Sequence, residues 1–415
     1  MNGNRIASAL LVAGVAGVVA VTWAGAPARH VEHVTAPAPL AAPAAPDGGP
    51  PANLGEAWSR PAANVPADVA EGPVALVPGT DGVEAVVPAT GDVAWSYRRE
   101  GMPLCAVLAE GTRAAAVFRG QSGCGEVTGL SLDDGSYGAT RRSLAGDEVV
   151  PVHGGTRLGV RSGRFVELWR GDLVRTVGFG SEETPVRPGA QPYAGCRMAD
   201  ARGDGDLLAV IVDCGDGTRL VMQKAVPEES DEPEITGDVS VADGAHLVAV
   251  ASGGVVIRAG GELLGYRPDA SRIGARPEGS PTRAADPSAL RQAGPWSLWF
   301  TGDQLVVFES TALREVARVP HAIGVGDLWG GHLLVPVRGG IAVTDPATGA
   351  IVRTIPVTRP DGRTDLRVVG SAVVERRPGE IAGLVPTVPV PAPVPAAPAA
   401  PPATPPAPPA TPPAP

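Results

Sequence analysis

Val83–Glu84–Ala85–Val86–Val87–Pro88–Ala89–Thr90–Gly91–Asp92–Val93–Ala94–Trp95 and Ile341–Ala342–Val343–Thr344–Asp345–Pro346–Ala347–Thr348–Gly349–Ala350–Ile351–Val352 share one pattern. Each reads as an apolar strand, a tight Pro-Ala-Thr-Gly turn and a second apolar strand. A turn unit that returns far along one chain points to a radial or stacked repeat architecture. Outward from these two stretches, strand groups recur over Gly72–Arg99, Leu104–Arg142, Val149–Val177, Cys196–Val226, Val239–Tyr266, Trp296–Val319, Val325–Val357 and Leu366–Leu384. Groups of about four short strands, with about forty residues per group, describe β-propeller blades.

The fold expected is therefore all-β: a single β-propeller over 54–385, with eight blades favoured over seven. No stretch of the body sustains a helical period, because Gly and Pro punctuate it throughout. Both faces of a blade pack on neighbours, which accounts for near-continuous Val/Ala/Leu runs where aromatics make up only 4 % of the chain. The last group lacks an outer strand. Leu54-Gly55-Glu56-Ala57-Trp58-Ser59 resembles Asp92-Val93-Ala94-Trp95-Ser96, with Trp before Ser in both. Leu54–Arg60 is expected to complete the last blade and close the ring.

The ends differ in kind. Ile6 to Ala26 is apolar, with nothing more polar than Ser8 and Thr22, and Arg5 precedes it. A run of ~20 such residues is long enough to cross a membrane as a helix. The leading arginine orients the body outward. Residues 1–26 are thus expected to be a transmembrane anchor, the alternative being a signal peptide cut near Ala26. Residues 27–53, rich in Pro and Ala, read as a linker that lifts the body off the membrane. Residues 386–415 read as a disordered Pro-rich tail.

Cys105, Cys124, Cys196 and Cys214 make an even count without any CxxC, which in an exported chain reads as disulfides. Four cysteines allow three connectivities. The start of one antiparallel strand lies beside the end of the next, so the repeat selects Cys105–Cys124 and Cys196–Cys214.

These residues resemble the quinoprotein-type (PQQ-like) propeller repeat, whose mark is an Asp-Ala-x-Thr-Gly turn before a Trp-bearing strand. Asp345-Pro346-Ala347-Thr348-Gly349 matches the turn, but Arg353 falls where Trp would be. Pro88-Ala89-Thr90-Gly91 lacks the Asp and keeps the Trp, as Trp95. With anchor and cysteine pairs, the chain looks like actinobacterial membrane-anchored PQQ-like propeller proteins. Lipoproteins of the outer-membrane barrel-assembly machinery share the fold and act as scaffolds; there is no lipobox cysteine here, so only the analogy transfers. Quinoprotein dehydrogenases of this fold hold their quinone against a vicinal disulfide, and no Cys-Cys pair exists in this chain.

Net charge is −10, and Lys224 is the only lysine. Nucleic acid is a poor partner for such a chain. No catalytic, cofactor-binding or metal residue stands out. His30 and His33 pair without a third ligand, and His153, His246 and His332 read as strand-edge residues with local hydrogen bonds. Asp-Gly turns such as Asp133-Asp134-Gly135 serve hairpins rather than calcium. Trp296, Trp299, Phe300 and Trp329 read as core. The function expected is a non-catalytic envelope scaffold or recognition propeller, tethered to the cytoplasmic membrane with its body extracytoplasmic. Its partner would be an envelope protein or cell-wall component. The long polar stretches Glu228–Glu234 and Arg267–Pro295 would give one rim its specificity. The alternative is a quinoprotein-like enzyme or small-ligand sensor using the central channel.

Overall fold

A computed structural model of the chain describes residues 2–24, 27–46, 48–181, 189–278 and 289–387. Eight antiparallel sheets follow one another around a ring, and the innermost strand of the first also contacts that of the last. Blade 1 spans 70–99, blade 2 104–142, blade 3 150–180, blade 4 197–241, blade 5 246–277, blade 6 290–320 and blade 7 327–356. Blade 8 combines 365–386 with the closing strand Leu54–Pro61. Leu54 pairs with Pro386, and Ser59 with Ala382. The eight-bladed ring and its closure from the amino-terminal side both stand.

The two-residue alternation of a strand explains the apolar runs. In blade 1, Val74 and Leu76 pack toward blade 2 with Trp95 and Phe118, whereas Ala75 and Val77 pack toward blade 8 with Val374 and Ile381. The core is thus a series of layers between blades. Each fully buried Val or Leu contributes roughly 1.5–3 kcal/mol, so small side chains suffice when every face is covered.

The turn motif works as a joint between blades. Trp58 Nε1–H donates to Pro88 O at 2.8 Å, and Trp95 Nε1–H donates to Leu132 O at 3.0 Å. Each indole lies on the glycine of the next blade's turn. A Cβ at Gly91 (φ 75°) would stand 2.5 Å from Trp58 Cγ, and one at Gly135 (φ 75°) 2.6 Å from Trp95 Cγ. On the outer strand of blade 6, Ala317 takes the position equivalent to Trp95. There the Gly349 turn settles directly onto Ala317 and the Arg318 carbonyl.

Both disulfides form as expected. Cys105 and Cys124 have Cα atoms 5.9 Å apart, and Cys196 and Cys214 4.3 Å apart. The second pair flanks the bonded Arg197–Asp213 pair at the open end of a hairpin. Cys124 opens the third strand of blade 2, so the first pair spans the end of the strand between.

Several boundaries shift. Ile235–Val241, placed by sequence partly in the fifth unit, is the outer strand of blade 4. Arg267–Pro295 is not one polar insertion: it contains Arg272–Pro277, the outer strand of blade 5, and Leu290–Ala293, the inner strand of blade 6. Residues 279–288 lie outside the described residues. Part of the two stretches does share a rim: 267–271 joins the third and fourth strands of blade 5, as Glu228–Glu234 does in blade 4, and Thr236 Oγ1 donates to Pro268 O at 2.8 Å.

The linker is not a free spacer. Val31–Val34 adds a fifth strand to blade 1, with Val31 opposite Arg99 and Val34 opposite Ser96. The Ala36 and Leu40 amides then donate to Asp134 O and Asp133 O, each at 2.9 Å. Pro43 packs on Gly370, and Arg353 Nη2 donates to Pro50 O and Pro51 O at 2.5 and 2.9 Å. Extended Pro-rich chain has its backbone groups free, so it can be strapped to a surface by such contacts.

Asn2–Ala24 forms a helix. Its side chains are described at Ser8 and over residues 10–22, where Leu10, Leu11, Val12 and Val21 are exposed. Among the described residues no helix is long and apolar enough to cross a membrane. Residues 25 and 26, at the expected cleavage positions, and the tail from 388 onward lie outside the described residues.

Candidate functional site: the central channel

The inner strands and the loop before blade 1 enclose a channel cavity of ≈ 960 Å³. Charged side chains from blades far apart in sequence converge there.

The acidic side comes from blades 1 and 2. Asp68, in the loop leading into blade 1, accepts from the Ala109 amide at 2.7 Å. His153 of blade 3 stands with Nε2 3.3 Å from Asp68 Oδ1 and Nδ1 3.9 Å from Glu110 Oε2. Burial works against the Asp68 carboxylate, yet His153, the Ala109 N–H and Arg367 together hold it below its ordinary value. Glu110 goes the other way. Burial lifts it to about 7, with His153 opposing and the Glu71 and Asp68 charges adding to the rise. Glu71 is also raised by burial, against the pull of Arg367.

The basic side is an arc of arginines. Arg202 of blade 4 donates from Nη1 to Leu290 O at 2.7 Å. Arg291, the next residue after that acceptor, reaches across blade 7 to Leu366 O, and to Gly326 O at 3.3 Å. Arg367 follows Leu366 and in turn donates from Nε to Ala70 O at 3.1 Å while pairing with Glu71. Each guanidinium therefore grips the carbonyl just before the next charged residue of the arc. Burial lowers Arg202, and it lowers Arg291 to about 10, where the like charge of Arg367 adds to the effect. Burial lowers Arg367 too, but Asp327, Glu71 and Asp68 more than restore it.

A separate ionic cluster secures the closure. Glu375 of blade 8 is 0 % exposed and receives Arg359 Nε at 3.1 Å, Arg359 Nη2 at 2.6 Å and Arg377 Nε at 2.9 Å. Arg359 also donates to Val337 O and Gly340 O of blade 7, while Arg377 Nη1 reaches Glu56 of the closing strand at 2.7 Å. One carboxylate thus links blade 7, blade 8 and the strand that seals the ring.

The histidines divide. His153 is a channel residue, not the locally bonded strand-edge residue that sequence reading makes it. His33 donates from Nε2 to Gly135 O at 2.7 Å and packs on Tyr97 and Tyr137, while His30 lies 3.6 Å from Glu100. No group of three metal-ligating side chains occurs among the described residues. Trp299 and Trp329 are buried, as core residues should be. Phe300 lines a second cavity of ≈ 820 Å³ beneath the Arg363 guanidinium.

No family model matches the chain, and no curated protein matches it. Among solved structures it is similar to BamB from Moraxella catarrhalis, at 12 % identity and TM-score 0.51, over 80 % of this chain and 99 % of that one. It is similar to the computationally designed Ika8 protein at 12 % identity and TM-score 0.50, over 81 % and 99 %. The C-terminal WD40 domain of Sif2 matches at 11 % identity and TM-score 0.50, over 82 % and 100 %. At such identities the likeness shows the fold alone, which is a WD40- and BamB-like β-propeller.

Proposed function

We propose that the protein is a non-catalytic scaffold or recognition propeller of the cell envelope, tethered to the cytoplasmic membrane by its N-terminal helix with the body outside. The observation that supports this best is the use made of the channel charges. Asp68, Glu71, Arg202, Arg291 and Arg367 each bond another blade, which stiffens the ring into a platform. The two disulfides support an oxidising compartment. The motif resemblance to membrane-anchored PQQ-like propellers supports the same address.

An envelope protein is the partner class that the surface favours. The outer strand of blade 7, Ile351–Pro356, is a sheet edge with Ile351 exposed and Val352 63 % exposed. The corresponding edge of blade 1 is already covered by Val31–Val34. Apart from the linker fastened at Arg353, this edge carries no strand among the described residues and suits a partner that adds one. Affinity capture of the full chain from membranes, beside quinone and metal analysis, tests this reading. A stoichiometric partner released by V352E supports it; stoichiometric quinone or calcium with no partner refutes it. A carboxyl-terminal reporter that works only outside the cytoplasm tests the address, and silence there would overturn it. A small-ligand sensor is the second reading, favoured by the size of the channel cavity and the uncharged state that burial imposes on Glu110 below about 7.

A further inference from the structure

The arginine arc has donors to spare. A guanidinium carries five N–H groups. The bonds of Arg202 and of Arg291 to protein all run from Nη1 to backbone carbonyls, and among the described residues no carboxylate forms an ion pair with either. Both line the channel cavity, as does Arg367. Arg291 and Arg367 carry like charge in a desolvated wall, and each is held in place by the residue next to its neighbour. Backbone carbonyls orient Arg202 and Arg291 without neutralising them, whereas Arg367 is paired with Glu71. The cavity is large enough for a small ligand.

We propose that Arg202, Arg291 and Arg367 form an anion-binding site in the channel, for a small molecule bearing carboxylate or phosphate groups. The anion would accept the unused N–H groups of Arg202 and Arg291 and relieve the repulsion between Arg291 and Arg367. Glu71, already paired with Arg367, stands at the margin of the site and, with Asp68, limits how much negative charge enters. This goes beyond the scaffold reading, which stands or falls on its own capture experiment.

The test is calorimetric titration of the full chain in detergent micelles, at low ionic strength, with succinate and separately with inorganic phosphate. The result expected is saturable one-to-one binding of at least one probe, and which one binds separates carboxylate from phosphate chemistry. R202Q and R291Q should each weaken it at least tenfold, while R338Q, at an exposed arginine of the second cavity, should leave it unchanged. Absence of saturable binding of either probe to the unaltered protein would overturn the proposal. So would binding that survives both channel substitutions, or binding that R338Q removes equally. R202Q breaks a single hydrogen bond to protein, so it decides the matter even where R291Q fails to fold.

Discussion

Glu375→Gln is the most revealing single change, because it keeps side-chain shape and removes one charge at the junction of blade 7, blade 8 and the closing strand. Glu375, Arg359 and Arg377 are 0, 4 and 2 % exposed at their side chains, so solvent cannot replace what is lost. A glutamine offers one acceptor oxygen where the carboxylate offers two, and its NH₂ points donors at a guanidinium. Arg359 then keeps at most one bond to the glutamine oxygen beside those to the Val337 and Gly340 carbonyls, and no counter-charge, whereas Arg377 retains Glu56 and Glu380. Stranding one charge of a buried pair costs about 3–5 kcal/mol. The exposed pair Arg170–Asp172 is the control, and D172N should change stability little. Urea unfolding gives the stability change, and amide exchange over 54–61 should accelerate in E375Q ahead of the other blades. Replacing Arg359 and Glu375 together by methionine should cost less than E375Q alone, because no stranded charge remains. An E375Q variant as stable as D172N, or exchange that stays slow in the closing strand, would refute the view that this carboxylate secures the ring.

Other expectations follow from single contacts. Removing either disulfide, by C105S/C124S or C196S/C214S, should cost about 3 kcal/mol in the chain-entropy account, since the bonds span 19 and 18 positions; unfolding with and without reductant measures it. Gly135→Ala places a Cβ against Trp95 at a positive φ, so it should destabilise by about 1–3 kcal/mol, whereas Gly163→Ala, with open space around it, should change the thermal midpoint little. Glu110 is raised in the folded state from 4.5 to about 7, so above pH 4.5 the unfolded chain loses this proton first. Its contribution to stability therefore falls as pH rises from 4.5 to about 7 and is flat beyond; E110Q should flatten that slope in thermal midpoints taken from pH 5 to 8, and a parallel profile would reject the assignment.

The blades, the closing strand and both disulfides are legible in sequence because they rest on local signals. Alternating apolar strands, Thr-Gly turns and Trp-Ser echoes act within about forty residues. The channel is different. Asp68, Glu110 and His153 meet only because three consecutive blades point their inner strands at one axis, and Arg202, Arg291 and Arg367 are spread over half the ring. One signal was available: a charge inside the first strand of a unit, as in Leu366-Arg367-Val368, sits where only the channel can receive it. Arg291 was hidden further, because Pro, Arg and Ser around it read as loop although Leu290–Ala293 is the inner strand of blade 6. The Trp joint is legible where the indole is kept and illegible at Ala317, where packing by backbone replaces it.

The strapped amino-terminal segment changes what a tether would do. As a free spacer, residues 27–53 would let the body wander far from a membrane-held helix. In the structure only residues 25–30 separate the helix end from the fifth strand of blade 1, a reach of about 20 Å at full extension. A helix held in a bilayer would thus keep the outer edge of blade 1 near the lipid surface, with His30 and Glu100 beside the junction. The remaining chain, 35–53, runs over the turns of blades 2, 8 and 7 before entering the closing strand. The segment that would position a membrane-held propeller therefore leads directly into the strand that closes it. Loss of its contacts would loosen both together.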